Sequence, residues 1–200
     1  LEGLASVIHR GAVASDAKSA DGAGLLIPIP EAIFGAGRGV VSLFARGADP
    51  RNAVEAAAAT EQIRVVEWRD VPTDDSELGD QARSSRPQML QALIEMDRPD
   101  ERTAYRLRRA IERTTPDVYV VSCSFRTVVY KGLVAANAIG RFYLDLADER
   151  FGAHFAVFHQ RFSTNTLPTW ERAQPFRTLC HNGEINAIAG NVRSMARRTQ

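Results

Sequence analysis

Long apolar runs are missing from this sequence. No stretch approaches the roughly 20 residues that a membrane-spanning helix requires, and no charged start followed by an apolar core opens the chain. Neither a membrane span nor a secretion signal is therefore expected. Cysteine is scarce, with only Cys123 and Cys180. A secreted disulfide framework uses more, so a reducing, cytoplasmic setting is expected. Lysine is almost absent as well, Lys18 and Lys131 being the only two. The 25 basic residues are offset by 24 acidic ones, and a net charge of +1 leaves no global field to attract nucleic acid or an anionic membrane. There is no CxxC or HxxxH spacing to collect a metal from the four histidines. Internal repeats and low-complexity linkers are also lacking.

What is present suffices for a buried core, since 44% of the 200 residues are hydrophobic. Residues 1–10 form a short amphipathic piece, followed by a loop punctuated by Gly11, Asp16, Asp21, Gly22 and Gly24. Apolar strands are predicted over 25–29 and 40–45, an Ala-rich helix over 50–63, and a strand over 64–72 that stops at Pro72. Residues 73–88 read as a polar loop. Residues 99–113 read as a solvated helix whose apolar contacts are Tyr105, Leu107 and Ile111; its arginines alternate with acids and have no aromatic platform, so nucleic acid is not its partner. "DVYVVSCSFRTVVYKG" is a long strand or hairpin, "FGAHFAVFHQRFST" a strand, and "FRTLCHNGEI" a strand running into a turn. Helices flanking strands that pair over long intervals point to an α/β sandwich. The chain opens on Leu1 and closes on "NVRSMARRTQ", which reads as a helix cut partway, so a piece of a longer polypeptide is expected.

The chemistry concentrates in "HQRFSTNTLPTWERAQPFRTLCHNGEIN", residues 159–186. Cys180 and His181 are neighbours, and neighbours on a strand face opposite ways, so they do not form a nucleophile and base. Cys180 reads instead as a small buried hydrophobe, and so does Cys123. His154 and His159 fall on opposite faces of one strand. The Asn182–Gly183 step makes a tight turn, and the same geometry can converge a side-chain amide and a backbone N–H on a tetrahedral oxyanion. Arg161 and Ser163 share a strand face with His159. A guanidinium there can fork a carboxylate or form an ordinary salt bridge. An oxyanion hole and a carboxylate clamp without a placed nucleophile suggest that the nucleophile lies elsewhere.

This string resembles the class II glutamine amidotransferase domain of glutamate synthase large subunits. The resemblance continues through "HRGAVASDAKSADGAG", "EWRDVPTDDSELG", "SFRTVVYKG" and "GRFYLDLADERF", and so covers nearly all of the chain as part of one domain, residues 1–200. It implies an N-terminal-nucleophile hydrolase fold, a four-layer αββα sandwich, here incomplete at both ends. It also implies hydrolysis of L-glutamine to glutamate and ammonia, the ammonia serving reductive amination of 2-oxoglutarate. In that family a processed N-terminal cysteine is the nucleophile and its own α-amine is the base. Position by position, Arg161 matches the arginine on the substrate α-carboxylate, Thr164 a substrate contact, and Arg10 a residue lining the pocket. Asn182 and Gly183 match the oxyanion hole. His181 has no assigned role, and Glu184 and Asn186 shape the turn. Position 1 is Leu rather than Cys and "HRGA" lies only ten residues in, whereas the family places its cysteine a few tens of residues before that motif; the acidic residue for the substrate amine is expected beyond Gln200. No cofactor is implied for this segment, whereas FMN and an iron–sulfur cluster are implied for the complete enzyme. The implied partners are the other synthase domains and a small reductase subunit. A glutamine-pocket module without catalysis is the alternative.

Overall fold

The computed structural model of the chain describes residues 1–7, 9, 11, 18–161, 166–181 and 188–198. Its helices are Glu2–Ser6 (α1), Glu31–Phe34 (α2), Arg51–Thr60 (α3), Asp80–Ser84 (α4), Glu101–Thr114 (α5), Ile139–Phe142 (α6) and Ile188–Arg198 (α7). Its strands are Ala23–Pro28 (β1), Gly39–Ala45 (β2), Arg64–Asp70 (β3), Gln88–Glu95 (β4), Val118–Ser124 (β5), Thr127–Gly132 (β6) and Val157–Gln160 (β7). Two antiparallel sheets result, ordered β3–β4–β2–β5 and β6–β1–β7.

The strand β2, "GVVSLFA", is buried along its whole length because it lies between β4 and β5 and is covered on both faces. Alternate residues serve two cores, as the two-residue strand period requires. Val41, Leu43 and Ala45, with Leu90, Ala92, Ile94 and Val120, meet Val54, Ala57 and Ala58 of α3 and Leu107 and Ile111 of α5. Val40, Phe44, Met89, Leu93 and Val121 meet the other sheet through Leu25, Leu26, Val128, Val129 and Tyr130. The architecture is thus mixed α/β, with helices over a four-stranded sheet that stacks on a three-stranded one. Truncating a central side chain such as Leu90 or Leu107 to Ala costs about 2–5 kcal/mol. On the far side, α1 sits against β7, and Leu4 is buried as part of the same apolar cluster. The apolar face of α7, Ile188, Val192 and Met195, is exposed.

The long helix α5 starts at Asp100, whose carboxylate accepts from the backbone N–H of Arg102 at 2.9 Å and of Thr103 at 3.1 Å. The hydroxyl and backbone hydrogen bonds of Thr103 lower the pKa of Asp100. Thr103, Ala104, Leu107 and Ile111 face the sheet at helical spacing. Tyr105, expected among the contacts, is exposed, with the Arg108 guanidinium 4.9 Å from its ring centroid. The segment expected to be one long strand or a hairpin is two consecutive strands, β5 and β6, that belong to different sheets. The link is tight: Ser124 Oγ accepts from the N–H groups of Arg126 and Thr127 at 2.9 and 3.0 Å.

Three further expectations are corrected. Residues 88–95, not read as a strand, form the inner strand β4, paired on both sides. Of the strand expected over 151–164, the described residues 151–161 contain only Val157–Gln160, so His154 lies outside it. Residues 176–179 form a turn rather than a strand, in which Phe176 N–H donates to the Leu179 carbonyl at 2.8 Å.

Candidate functional site

Three stretches far apart in sequence meet on the three-stranded sheet. Gly24 of β1 is paired with Lys131 of β6 on one side and His159 of β7 on the other. Beyond the end of β7, Arg161 N–H continues the ladder by donating to the Gly22 carbonyl at 2.8 Å. Gly11, of the "HRGA" stretch, lies against the Gln160 side chain closely enough that a Cβ would collide with it.

The third stretch, residues 166–181, lies across these strands. Glycines make its close approach possible. A Cβ on Gly24 would fall 2.5 Å from the Gln174 carbonyl, one on Gly22 would fall 2.8 Å from Ala173 Cβ, and one on Gly132 would strike the Trp170 ring. Gly22 also has φ +121°, a backbone conformation that side-chain-bearing residues rarely adopt. Trp170 is fully buried, and its indole donates to the Ala82 carbonyl at 3.2 Å.

Arg161 is the one predicted substrate-binding residue whose side chain is described. Its guanidinium donates to Thr166 Oγ1 at 2.7 Å and reaches the Asp21 carbonyl at 3.5 Å. Burial lowers its pKa, Asp21 opposes that shift, and nearby Arg172 adds to it. A cation already withdrawn from water and next to a second guanidinium is suited to receive an anion. Arg10, Thr164, Asn182 and Gly183 lie outside the described residues, as do Ser163, Glu184 and Asn186.

His181, which immediately precedes Asn182, is held by its backbone. Gln174 Nε2 donates to the His181 carbonyl at 3.0 Å, and His181 N–H donates to Gln174 Oε1 at 2.8 Å. A single, largely buried amide therefore fixes the chain at the entry to "HNGEIN". This role of Gln174 escaped the sequence reading; the quoted string "AQPF" contained it, but only the fold supplies its partner.

Neither cysteine is set up as a nucleophile. Cys123 Sγ donates to the Ala104 carbonyl at 3.2 Å, and burial pushes its thiol up to about 12. Cys180, expected to be buried, is only partly so because it leaves the turn toward the surface. Its Sγ donates to the Phe158 carbonyl at 3.4 Å, and burial raises its pKa, whereas activation requires a lowered one. Among the described residues, no cluster of three or more His, Cys, Asp or Glu side chains could hold a metal. Among them, too, no helix is long and apolar enough to cross a membrane.

Comparison with known sequences agrees with this geometry. The chain matches the family described as Glutamine amidotransferases class-II over residues 1–44 and 39–200. It is 38% identical to the glutamate synthase [NADPH] large chain of Azospirillum brasilense, over 98% of this chain. It is 39% identical to the ferredoxin-dependent glutamate synthase of Cyanidium caldarium over 99% of this chain, and 40% identical to the glutamate synthase [NADPH] large chain of Bacillus subtilis (strain 168) over its full length. The chain spans about 15% of the length of each of these three relatives. With two stacked antiparallel sheets beneath helices and a family match that runs from its first residue to its last, the chain belongs to the class II glutamine amidotransferases.

Proposed function

We propose that this chain is part of the glutamine-hydrolysing domain of a glutamate synthase. It binds L-glutamine and helps convert its side-chain amide to glutamate and ammonia, and the ammonia serves reductive amination of 2-oxoglutarate elsewhere in the complete enzyme. What supports this reading is that Gly11, Arg161 and the Gln174-held His181, one described residue from each of the "HRGA", "RFST" and "HNGEIN" stretches, are held at or beside the β1–β7 pair.

Arg161 neutralises the α-carboxylate of glutamine, and Thr164 and Arg10 line the same pocket. Asn182 and Gly183 donate to the oxygen that becomes anionic as the amide carbon turns tetrahedral. Those two bonds strengthen in the transition state and so act on turnover. The attacking thiol is neither Cys123 nor Cys180, both of which have raised pKa values. It is the N-terminal cysteine of the family, and the α-amine that serves as its base ordinarily titrates near 7.7–8.0, about working pH. FMN, an iron–sulfur cluster and a reductase subunit are assigned to the complete enzyme, which works in the cytoplasm.

The test uses the longer polypeptide that carries this segment. A diazoketone glutamine analogue should label a cysteine other than Cys123 and Cys180; label on Cys180 refutes the mechanism, and no label favours a binding module. In the same polypeptide, Arg161→Ala should raise KM for glutamine about 10- to 100-fold, the weight of a hydrogen-bonded charge contact. Asn182→Ala should lower kcat about 10²- to 10³-fold.

A further inference from the structure

Lys131 is fully buried, and among the described residues it makes no ion pair. Its ammonium donates to the Glu171 carbonyl at 2.8 Å and to Tyr119 Oη at 3.1 Å. It lies 4.8 Å from the Tyr119 ring centroid and 5.0 Å from that of Phe176. The nearby charges are held by other partners. Glu171 pairs with Arg46 at 3.1 Å, and Arg177 pairs with Glu112 at 2.7 Å while its guanidinium lies 5.4 Å from the Tyr119 ring centroid. Arg108 of α5 pairs with the same Glu112.

A buried ammonium whose partners among the described residues are a carbonyl, a phenol and a phenyl ring is an expensive way to fill a core. Burial, with Arg177 adding to it and Glu171 opposing, lowers its pKa to about 7. A methionine of similar length would fill the same space without that penalty. Two of the three residues Lys131 touches, through the Glu171 carbonyl and the Phe176 ring, belong to the stretch that crosses the sheet. They bracket Gln174, the residue that holds His181. The Arg161 backbone is fixed through the ladder bond from its N–H to Gly22, and its guanidinium bonds Thr166, five residues before the part of the stretch that Lys131 touches.

We propose that Lys131 is a positioning residue for glutamine hydrolysis: it anchors residues 171–176 so that Gln174 holds His181, and with it the Asn182–Gly183 donors that follow, in register with the reacting carbonyl. The inference rests on the functional reading above. It divides the site in two, with the lysine governing the oxyanion donors and the β1–β7 ladder governing the carboxylate clamp. Lys131 therefore acts on turnover and leaves glutamine affinity alone.

The experiment places Lys131→Met in the complete enzyme and reads glutaminase kcat and KM, the melting temperature, and hydrogen exchange at the His181 amide. Misplacing catalytic donors by a fraction of an ångström costs roughly 10- to 100-fold in rate. The expected result is kcat down by about that factor, KM within about 3-fold, His181 exchange faster by about 10-fold or more, and a melting temperature that does not fall. A merely structural lysine would leave the kcat-to-KM split untouched, with any activity loss following loss of fold. Unchanged His181 exchange and unchanged kcat overturn the proposal, as does a rise in KM alone. If Lys131→Met does not fold, Lys131→Gln, which keeps a donor for the Glu171 carbonyl, is expected to retain most of kcat and slow His181 exchange, and loss of kcat with unchanged His181 exchange in that variant overturns the proposal. Absence of glutamine turnover in the unmutated enzyme would sink the functional reading, while the exchange data would still decide whether Lys131 anchors the segment.

Discussion

The inter-sheet core contains one ion pair whose strength can be measured. Asp145, in the 3-10 turn after α6, has a side chain only 7% exposed. Its carboxylate accepts from Arg69 Nη2 at 2.7 Å, from Arg69 Nη1 at 3.1 Å and from Tyr130 Oη at 2.6 Å. Arg69 comes from β3 and Tyr130 from β6, so the carboxylate joins the two sheets. Replacing Asp145 with Leu leaves the guanidinium without its carboxylate, with Gln91 Oε1 at 3.2 Å and the Phe34 ring 5.3 Å away as its remaining partners among the described residues. Removing one member of a fully buried pair costs about 3–5 kcal/mol. The Arg69 side chain is 21% exposed, so water recovers part of that loss, and about 2–3 kcal/mol is expected. Arg69→Met should cost a similar amount, because it leaves a carboxylate supported by one phenol. The double variant contains neither charge and should lose only about 1–2 kcal/mol, mainly the Tyr130 hydrogen bond. The coupling is therefore about 3 kcal/mol. Urea denaturation of the four chains measures it, each single change lowering the midpoint by about 1 M for a slope near 2 kcal/mol per M. If the two single losses add in the double variant to within about 0.5 kcal/mol, the reasoning is refuted.

Three other outcomes are expected. The stability advantage of Lys131→Met over the unmutated chain should shrink as pH rises from about 7 toward the ordinary lysine value of 10.5, because over that window the unfolded chain binds the proton and the folded one does not. Denaturation midpoints across that range should give a difference slope of up to about 1.4 kcal/mol per pH unit, and a flat difference would contradict it. Gly24→Ala should destabilise by about 1–3 kcal/mol and loosen residues 174–181, since backbone on both sides of the new methyl has little room to yield; limited proteolysis would report the loosening. Cys180→Ala should shift stability by less than about 0.5 kcal/mol and leave glutaminase activity intact, because its single sulfur contact is long and partly exposed.

Several elements could be read from local sequence because their own residues decide them. The β-branched "VVSLFA" of β2, the alanines of α3 and the Asp100 cap of α5 are of this kind. The strand β4 is of the opposite kind. "MLQALI" contains good helix formers and does not alternate, and it becomes a strand because β2 and β3 take both of its edges while the two cores cover its faces. The site divides along the same line. Arg161 belongs to a compact motif and can be proposed from that motif alone. Lys131 sits in "VVYKG", where nothing local announces burial; its partners Glu171 and Phe176 arrive some forty residues later. Gln174 likewise gains its meaning only when the chain lies over Gly22 and Gly24.

The strand order also bears on synthesis. Leu25 of β1 pairs with Tyr130 of β6 and with Phe158 of β7, so its nearer described strand partner lies 105 positions downstream. At ribosomal rates of about 5–20 residues per second, the apolar stretch "AGLLIP" is made roughly 5–20 s before β6 emerges. Over that interval β2, β3 and β4 can pair among themselves, while β1 offers two bare edges to any neighbouring nascent chain. Production of this domain should accordingly respond more to translation speed and to chaperone supply than its folded stability would suggest.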